Sequence, residues 1–227
     1  MLRIGVIILC RFNSTRLPGK VLMHVDSKPI LKHTVDGWKS LVPDLPLIVA
    51  TSIHESDNPI AAFCTRENIP CFRGDLDDVA GRFLACAREN NLDVAIRFNG
   101  DNFFLDKNLI PEFVRTVRSG GYSFYSNVKD RTYPRGMSLE AVDVGYLNQQ
   151  MQFFKEARYR EHVTLYFYEN PPEKSLYFYN NVLPKAGGVQ LAVDTQEDFI
   201  RVKKMYSQLQ TNVADLRSIY QSYLKAG

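Results

Sequence analysis

The sequence is poor in the residues that mark several protein classes. Its 227 residues include only four cysteines, at positions 10, 64, 71 and 86, and they form no C-x-x-C pair. Neither a zinc knuckle nor a thioredoxin-type site is therefore expected, and the cysteines are interpreted as buried free thiols. The formal net charge is only +3. A balance this small does not indicate a nucleic-acid partner.

Long hydrophobic runs are absent as well. The apolar run at residues 5–10 is far shorter than the roughly 18 residues that indicate a membrane-spanning helix. The start of the chain also lacks the small-residue cleavage site of a signal peptide. These absences predict a cytoplasmic protein with no membrane partner.

The first half of the chain alternates β-rich runs with amphipathic stretches. Strands are predicted at 3–9, 46–51, 70–73 and 93–98, with helices between them. This alternation is typical of an α/β fold, with a mostly parallel sheet flanked by helices. No repeat, low-complexity tract or linker is visible, so residues 1–227 are interpreted as one domain.

The rhythm changes after Gly120-Gly121. Strand-like runs at 122–126, 139–144 and 189–193 are predicted to dominate over crossovers. The 160s look helical, and two helices are predicted to close the chain.

Cations and hydroxyls crowd the segment after the first predicted strand. Residues 10–20 carry three cations, two hydroxyls and a Pro-Gly turn. Ligands of open α/β sheets bind where strands end, and these groups suit a polyphosphate. The segment is neither a Walker A loop nor a G-x-G-x-x-G turn. A phosphate-binding loop is the favoured interpretation, with a solvated basic loop as the alternative.

Two aspartates follow predicted strands. Asp101 comes after the strand at 93–98, and Asp194 ends the run at 189–193. Carboxylates at strand ends can bind Mg²⁺ together with substrate phosphates. Taken alone, either residue could instead cap a helix, and capping is the more frequent role for an aspartate placed like Asp194. Only the pairing of two strand ends favours the metal interpretation.

These same residues resemble a known family. Ile7-Ile8, Arg11 and the run Ser14 to Lys20 are similar to the signature of cytidylyltransferases that activate acidic sugars. The spore-coat-polysaccharide type is the most similar, and the 3-deoxy-manno-octulosonate and acylneuraminate types are related. The likeness continues in the family's order through segments 74–82, 100–101, 133–140, 160–164 and 193–198.

The resemblance implies a Rossmann-like nucleotidyltransferase fold, CTP as donor, an acidic sugar as acceptor, Mg²⁺ as cofactor and a homodimer. It places a nucleotide-binding half at about 1–120, and acceptor and dimerisation elements at about 121–227. Asp101 and Asp194 match the metal-binding aspartates, and Arg11, Lys20 and Asp101 are the expected catalytic residues. The nucleotide-binding residues implied are Leu9, Arg11, Asn13, Ser14, Thr15, Arg16, Lys20, Asp78, Arg82 and Asn99.

The acceptor site is expected in the second half of the chain. A mixed set of polar groups there suits a carboxylate and several sugar hydroxyls. The candidates are Tyr133, Arg135, Glu140, Arg160 and His162. The chain departs from the spore-coat pattern at Leu9, Asn13 and Ser138, where Gln, Gly and Asp are usual.

Two other functions remain open at this point. A nucleotide-sugar glycosyltransferase would share the core but needs a D-x-D pair after a central strand. Asp75-Leu76-Asp77 has that spacing, although at a predicted helix start. A catalytically idle nucleotide-binding subunit is the second alternative, and the presence of both Asp101 and Asp194 argues against it.

Overall fold

The protein, described by a computed structural model of residues 2–227, has an α/β fold. Its strands are β1 (Ile4–Leu9), β2 (His24–Val25), β3 (Lys28–Pro29), β4 (Leu47–Ser52), β5 (Cys71–Gly74), β6 (Val94–Asn99), β7 (Leu105–Asp106), β8 (Phe124–Ser126), β9 (Glu140–Asp143), β10 (Ser175–Tyr177) and β11 (Val213–Ala214). Its α-helices are α1 (Ile30–Leu41), α2 (Asn58–Arg66), α3 (Val79–Glu89), α4 (Leu109–Ser119), α5 (Val144–Gln150), α6 (Ala157–His162), α7 (Leu165–Glu169), α8 (Gln196–Leu209) and α9 (Leu216–Ala226).

Seven strands form the central sheet, in the order β10-β8-β9-β6-β1-β4-β5. All neighbours pair in parallel except at β9, which runs antiparallel to both β6 and β8. The mostly parallel α/β architecture predicted from the sequence is confirmed. Within residues 2–227, no helix is long and apolar enough to cross a membrane.

Helices cover both faces of this sheet. Side chains of a strand alternate between the two faces, so β1 sends Ile8 to one apolar cluster and Ile7 to another. The first cluster packs against α1, α2 and α4, and the second packs against α3, α5, α6 and α7. Burial on both faces explains why β1 is a continuous apolar run rather than an alternating one.

The four strands predicted in the first half are confirmed as β1, β4, β5 and β6. In the second half, β8 and β9 lie within the runs predicted at 122–126 and 139–144, and they pair antiparallel with no α-helix between them. The helices predicted in the 160s and at the end of the chain are confirmed as α6 to α9, whereas α5 was not predicted. The cysteines are free thiols as expected; three are buried and Cys71 is partly exposed.

The prediction of a strand at 189–193 is wrong. This segment makes only isolated bridges, through Gln190 to Arg135 and through Ala192 to Asn102. Its backbone bonds are divided between two different loops, so no continuous ladder forms. Its alternating apolar side chains are nevertheless buried, in a third cluster with α8 and α9.

Gly136 sits where this segment crosses the neighbouring loop. Its φ is +93°, and a Cβ there would lie 2.3 Å from the backbone nitrogen of Ala192. Gly121 has a similar φ of +95°, but a Cβ on this residue would meet nothing within 4 Å. Substitution of Gly121 and of Gly136 therefore separates the cost of a left-handed backbone from the cost of a steric clash.

We expect Gly121→Ala to lower the free energy of unfolding by about 1–2 kcal/mol through backbone strain alone. Gly136→Ala should lower it by about 1–3 kcal/mol more, because the clashing atoms are backbone and cannot rotate away. Urea unfolding of both variants measures the difference. Equal losses would contradict the close approach of residues 136 and 192.

Candidate active site

A cavity of about 340 Å³ opens at the carboxyl ends of β1 and β6. These strands are neighbours, and their last residues, Leu9 and Asn99, lie opposite each other in the register. The cavity is lined by both residues, by the loop after β1 and by Asp101 after β6. Parallel strands thus bring two distant segments to one edge of the sheet, where α/β proteins bind their ligands.

A buried carboxylate anchors the start of the loop after β1. Asp57 is fully buried, and its two oxygens accept hydrogen bonds from the backbone N–H groups of Phe12 (2.7 Å) and Ser52 (3.0 Å). Burial raises the pKa of Asp57, but these hydrogen bonds outweigh it and leave the pKa below its usual value. The ionised side chain therefore connects the loop to the end of β4.

The loop ends at a lysine that joins three parts of the chain. The buried Lys20 ammonium donates to Asp101 Oδ2 at 2.6 Å and to Asp194 Oδ1 at 3.0 Å. Burial raises the pKa of Asp194, yet the hydrogen bond and charge of Lys20, with the charge of Arg16, hold it below its usual value. The two carboxylates therefore face one point in space, and a cation occupies that point.

Asp194 is available for this role because another residue caps the next helix. Thr195 is the N-cap of α8: its hydroxyl accepts from the Asp198 N–H, and the Asp198 carboxylate accepts from the Thr195 N–H. This reciprocal capping box satisfies the helix start without the Asp194 side chain. The capping alternative for Asp194 is therefore wrong, and its carboxylate lines the cavity instead.

The remaining loop cations also meet carboxylates. Arg16 lies 3.1 Å from Asp194 Oδ2, and Arg11 lies 3.6 Å from Glu161 on α6. Both arginine side chains are about half exposed or more, at 63% and 46%. Pairs this exposed contribute little to stability, so both guanidinium groups can reorient toward an anionic ligand.

Arg82 is different, because it is buried and its described partners are neutral. Its Nη1 donates to the carbonyl oxygens of Asp75 and Leu76, and its Nε is buried without a hydrogen-bond partner among residues 2–227. Burial lowers the pKa of this guanidinium. Arg82 therefore brings positive charge to the cavity wall without a paired carboxylate.

The structure places most of the predicted nucleotide and metal residues in this cavity. The predicted residues that line it are Leu9, Arg11, Ser14, Thr15, Arg16, Lys20, Arg82, Asn99, Asp101, His162 and Asp194. Asn13 and Asp78 do not line it. Asp78 instead caps α3, accepting from the Gly81 N–H at 2.8 Å, and pairs with Arg160 at 2.9 Å.

The predicted acceptor residues are divided between several places. Only His162, at the end of α6, lines the cavity. Arg160 bonds Asp78 and the Phe154 carbonyl, and Glu140 is buried behind the cavity wall. Tyr133 borders a second cavity, where burial raises its pKa to about 12, while Arg135 is exposed. The structure thus does not bring these five side chains into one pocket.

Sequence reasoning missed Arg97, Glu161 and Asp57. Arg97 lies in β6 and lines the cavity, with its Nη1 donating to Glu140. The detectable signal was an arginine inside the apolar run 94–98. Asp57 and Glu161 were not predicted as site residues, because their partners in the loop, Phe12 and Arg11, are 45 and 150 residues away along the chain.

The D-x-D spacing at Asp75 serves a local structural purpose. One oxygen of Asp75 accepts the backbone N–H groups of Asp77 (2.8 Å) and Asp78 (2.7 Å) and so shapes the turn before α3. Neither Asp75 nor Asp77 lines the cavity. The sequence pattern that favoured a glycosyltransferase is therefore a turn.

Solved structures share this architecture. A cytidylyltransferase structure from Leptospira borgpetersenii superposes with a TM-score of 0.91 at 24% identity, covering 99% of this chain and 95% of that one. A CMP:2-keto-3-deoxy-manno-octonic acid synthetase complexed with CTP superposes with a TM-score of 0.66 at 16% identity, covering 91% and 99%. These structures share the fold of this chain, which here carries a basic loop after β1 and two aspartates, after β6 and before α8, that face one cation.

Sequence comparison specifies the family. Residues 5–224 match the cytidylyltransferase family, and the chain belongs to it. An uncharacterised protein of Methanocaldococcus jannaschii is 32% identical over 218 residues, covering 94% of this chain and 87% of that protein. The spore coat polysaccharide biosynthesis protein SpsF of Bacillus subtilis is 32% identical over 210 residues, covering 89% and 85%. The resemblance seen in the sequence is confirmed, and the chain is an enzyme of the nucleotidyltransferase class.

The loop anchor generates a prediction about acid stability. The pKa of Asp57 is lower in the folded protein than its ordinary value of 3.8. The folded state therefore binds this proton less readily than the unfolded state. The stabilisation is fully present above the ordinary pKa and is lost as the pH falls through the lowered one.

We expect Asp57→Asn to lower the free energy of unfolding at pH 7 by about 1–3 kcal/mol and to weaken the loss of stability below pH 3.8. Asp130→Asn, at an exposed position, is the matched control. Urea unfolding between about pH 2.5 and pH 7 measures both effects. If Asp57→Asn lost as much stability below pH 3.8 as the unmodified protein does, the anchoring role of Asp57 would be contradicted.

Proposed function

We propose that this enzyme transfers CMP from CTP to the hydroxyl of an acidic sugar and releases pyrophosphate. The observation that carries the proposal is the pairing of Lys20 and Arg16 with the carboxylates of Asp101 and Asp194, in a cavity that Arg11 also lines. A triphosphate needs cations along its phosphates and carboxylates for its metal. Both sets line one cavity.

The donor set formed by Asp101 and Asp194 fits Mg²⁺. The Lys20 ammonium already occupies a position within 3.0 Å of oxygens from both aspartates, so the two carboxylates accept a shared cation. Proteins usually hold Mg²⁺ through one or two carboxylates, with phosphate oxygens and water completing the shell. When bound by Asp101 and Asp194, Mg²⁺ would neutralise phosphate charge and acidify the attacking hydroxyl.

The chain's own residues have positioning and charge-stabilising roles. The acceptor oxygen forms a bond to the α-phosphorus while the bond from that phosphorus to the oxygen bridging to the β-phosphate breaks, and the hydroxyl proton passes to solvent water. Arg11 and Lys20 hold the leaving pyrophosphate, whose charge grows as that bond breaks. Ser14, Thr15 and Arg16 line the same cavity, and the proposal assigns them to the triphosphate. Such a transfer depends on alignment more than on covalent catalysis.

The acidic class of the acceptor is supported by the relatives. One structural neighbour is a synthetase for an eight-carbon sugar acid, and one relative is named for polysaccharide biosynthesis. The cavity adds cations beyond those of the loop, namely Arg82 and Arg97. We propose a role in surface polysaccharide or glycan biosynthesis. The homodimer and the cytoplasmic location expected from the sequence remain predictions.

Pyrophosphate release tests the proposed function. The purified protein is incubated with CTP, Mg²⁺ and a panel of 3-deoxy and nonulosonic sugar acids, with aminosugars and phosphonates as other classes. Release with a sugar acid, and formation of its CMP conjugate, is the expected result. CTP binding without release from any acceptor would contradict it and favour a nucleotide-binding subunit.

Asp101→Asn and Asp194→Asn should each lower kcat for pyrophosphate release by roughly 1000-fold, because each removes charge from the proposed metal site. Mg²⁺ binding in the presence of CTP, measured by calorimetry, should weaken in parallel. Asp44→Asn, which removes an exposed carboxylate paired with Arg118, is the control and should behave as the unmodified protein. Near-normal activity in either site variant would remove that residue from the proposal.

Arg11→Ala and Lys20→Ala should weaken CTP binding by roughly tenfold or more and CMP binding much less. CMP lacks the β- and γ-phosphates that these cations are proposed to hold. Lys39→Ala, at an exposed position on α1, is the matched control. Calorimetry with both nucleotides gives the comparison, and equal losses for CMP and CTP would assign the two cations elsewhere.

A further inference from the structure

Arg97 is a charged residue in the interior of the sheet. It occupies β6, four residues before Asp101, and its side chain is 16% exposed where it lines the cavity. Because side chains alternate along a strand, Arg97 and Asn99 lie on the same face of the sheet. That face is the one covered by α3 and α6, so Arg97 forms part of the cavity floor.

One side of the Arg97 guanidinium is held firmly by Glu140. The two residues lie opposite each other in the antiparallel β6–β9 ladder, and Nη1 donates to Glu140 Oε2. The other Glu140 oxygen accepts the hydroxyls of Thr164 (2.8 Å) and Tyr168 (2.5 Å). Burial and the Glu140 charge raise the pKa of Tyr168, which therefore remains a hydrogen-bond donor. Glu140 is thus fully engaged and cannot turn away.

The same network reaches the cavity rim through a strained turn. Val163 has φ 52° and ψ −62°, and the Thr164 N–H bonds back to the His162 carbonyl, which is the rare positive-φ form of a γ-turn. A β-branched residue rarely adopts this conformation. On one side of the turn, the Thr164 hydroxyl donates to Glu140. On the other side, His162 lines the cavity. Strain of this kind is typical of functional sites.

The opposite edge of the Arg97 guanidinium has no partner among residues 2–227. Its only described hydrogen bond leaves from Nη1, and its Nε is buried and unpaired. Nε and Nη2 form the side of a guanidinium that binds both oxygens of a carboxylate at once. An unpaired buried donor is costly, and a ligand that satisfies it recovers that cost.

We propose that Arg97 binds the carboxylate of the acceptor sugar through its free Nε–Nη2 edge, with Glu140 as the positioning residue. This inference rests on the proposed function and adds the residue that selects acidic acceptors. It replaces Arg135 and Arg160, which the sequence suggested for this carboxylate. Arg160 is engaged by Asp78 and Phe154, and Arg135 lies outside the cavity.

The position of Arg97 favours a carboxylate over the phosphates of CTP. The loop cations follow β1 and Asp101 follows β6, whereas Arg97 lies within β6, two residues before its end. It is also braced from β9, from α7 and from Thr164 at the start of α7, all in the half of the chain that follows residue 121. The planar Nε–Nη2 edge matches the two oxygens of a carboxylate.

The test compares a sugar acid with its uncharged analogue. The acid is the panel member that releases pyrophosphate most efficiently from the unmodified protein, starting with 3-deoxy-manno-octulosonate. The analogue carries a primary alcohol in place of its carboxylate. Arg97→Met should raise KM for the acid by roughly 30-fold or more, with KM for the alcohol and the Kd for CTP changed less than about twofold. The preference for the acid over the alcohol should therefore be lost.

Two further variants distinguish binding from folding. Arg97→Met leaves Glu140 as a buried unpaired charge, so Arg97→Met/Glu140→Gln is made as well, and it should show the same loss of preference with the fold retained. Glu140→Gln alone keeps acceptors for Thr164 and Tyr168. It should raise KM for the acid, by less than Arg97→Met, and leave kcat and KM for the alcohol unchanged.

Three results would overturn the inference. Weaker CTP binding with an unchanged KM for the acid would make Arg97 a nucleotide residue. Equal losses for acid and alcohol in the double variant would give it a structural role only. Failure of every sugar acid to release pyrophosphate from the unmodified protein would defeat the proposed function, and this inference with it, a result distinct from a loss confined to the variants.

Discussion

The Lys20 ammonium, held between Asp101 and Asp194, is the interaction on which the site depends. It joins the loop after β1 to the turn after β6 and to the segment before α8, across 81 and 174 residues of chain. Two carboxylates that converge on one point repel each other unless a cation lies between them. Lysine supplies that cation, because its ammonium donates to both carboxylates at once.

Several separate devices keep these groups in place. Asp57 anchors the loop start, and the Thr195–Asp198 capping box frees Asp194 from the helix that follows it. In each case a carboxylate or hydroxyl outside the site accepts the backbone N–H groups, so that the side chains of the loop and of Asp194 remain available to the cavity. The antiparallel strand β9 has a comparable role, because it carries Glu140 to the far side of Arg97.

A buried Arg–Glu pair is a poor source of stability, since desolvation of both charges offsets much of their attraction. The Arg97–Glu140 pair nevertheless sits in the sheet, surrounded by hydroxyls from Thr164 and Tyr168. Its geometry restricts one edge of the guanidinium and leaves the other unpaired. The arrangement is easier to understand as preorganisation for an anionic ligand than as structural support.

Local pattern was sufficient for the α/β class and the four strands of the first half, because each depends on residues adjacent in sequence. Hydrophobic period and turn chemistry act over about ten residues. The strand predicted at 189–193 shows the limit of such reasoning. Alternation correctly indicated burial there, but whether an extended segment joins a ladder depends on which backbone lies beside it.

The acceptor side depended on tertiary structure throughout. Motif resemblance named Glu140, Arg160 and His162, yet only packing decided that Glu140 braces Arg97, that Arg160 pairs with Asp78 and that His162 faces the cavity. The amino-acid order specifies which chemical groups are present and which local structures they form. Pairing between groups far apart along the chain is decided by the fold, because a buried charge takes whichever partner the packed elements bring within hydrogen-bond distance.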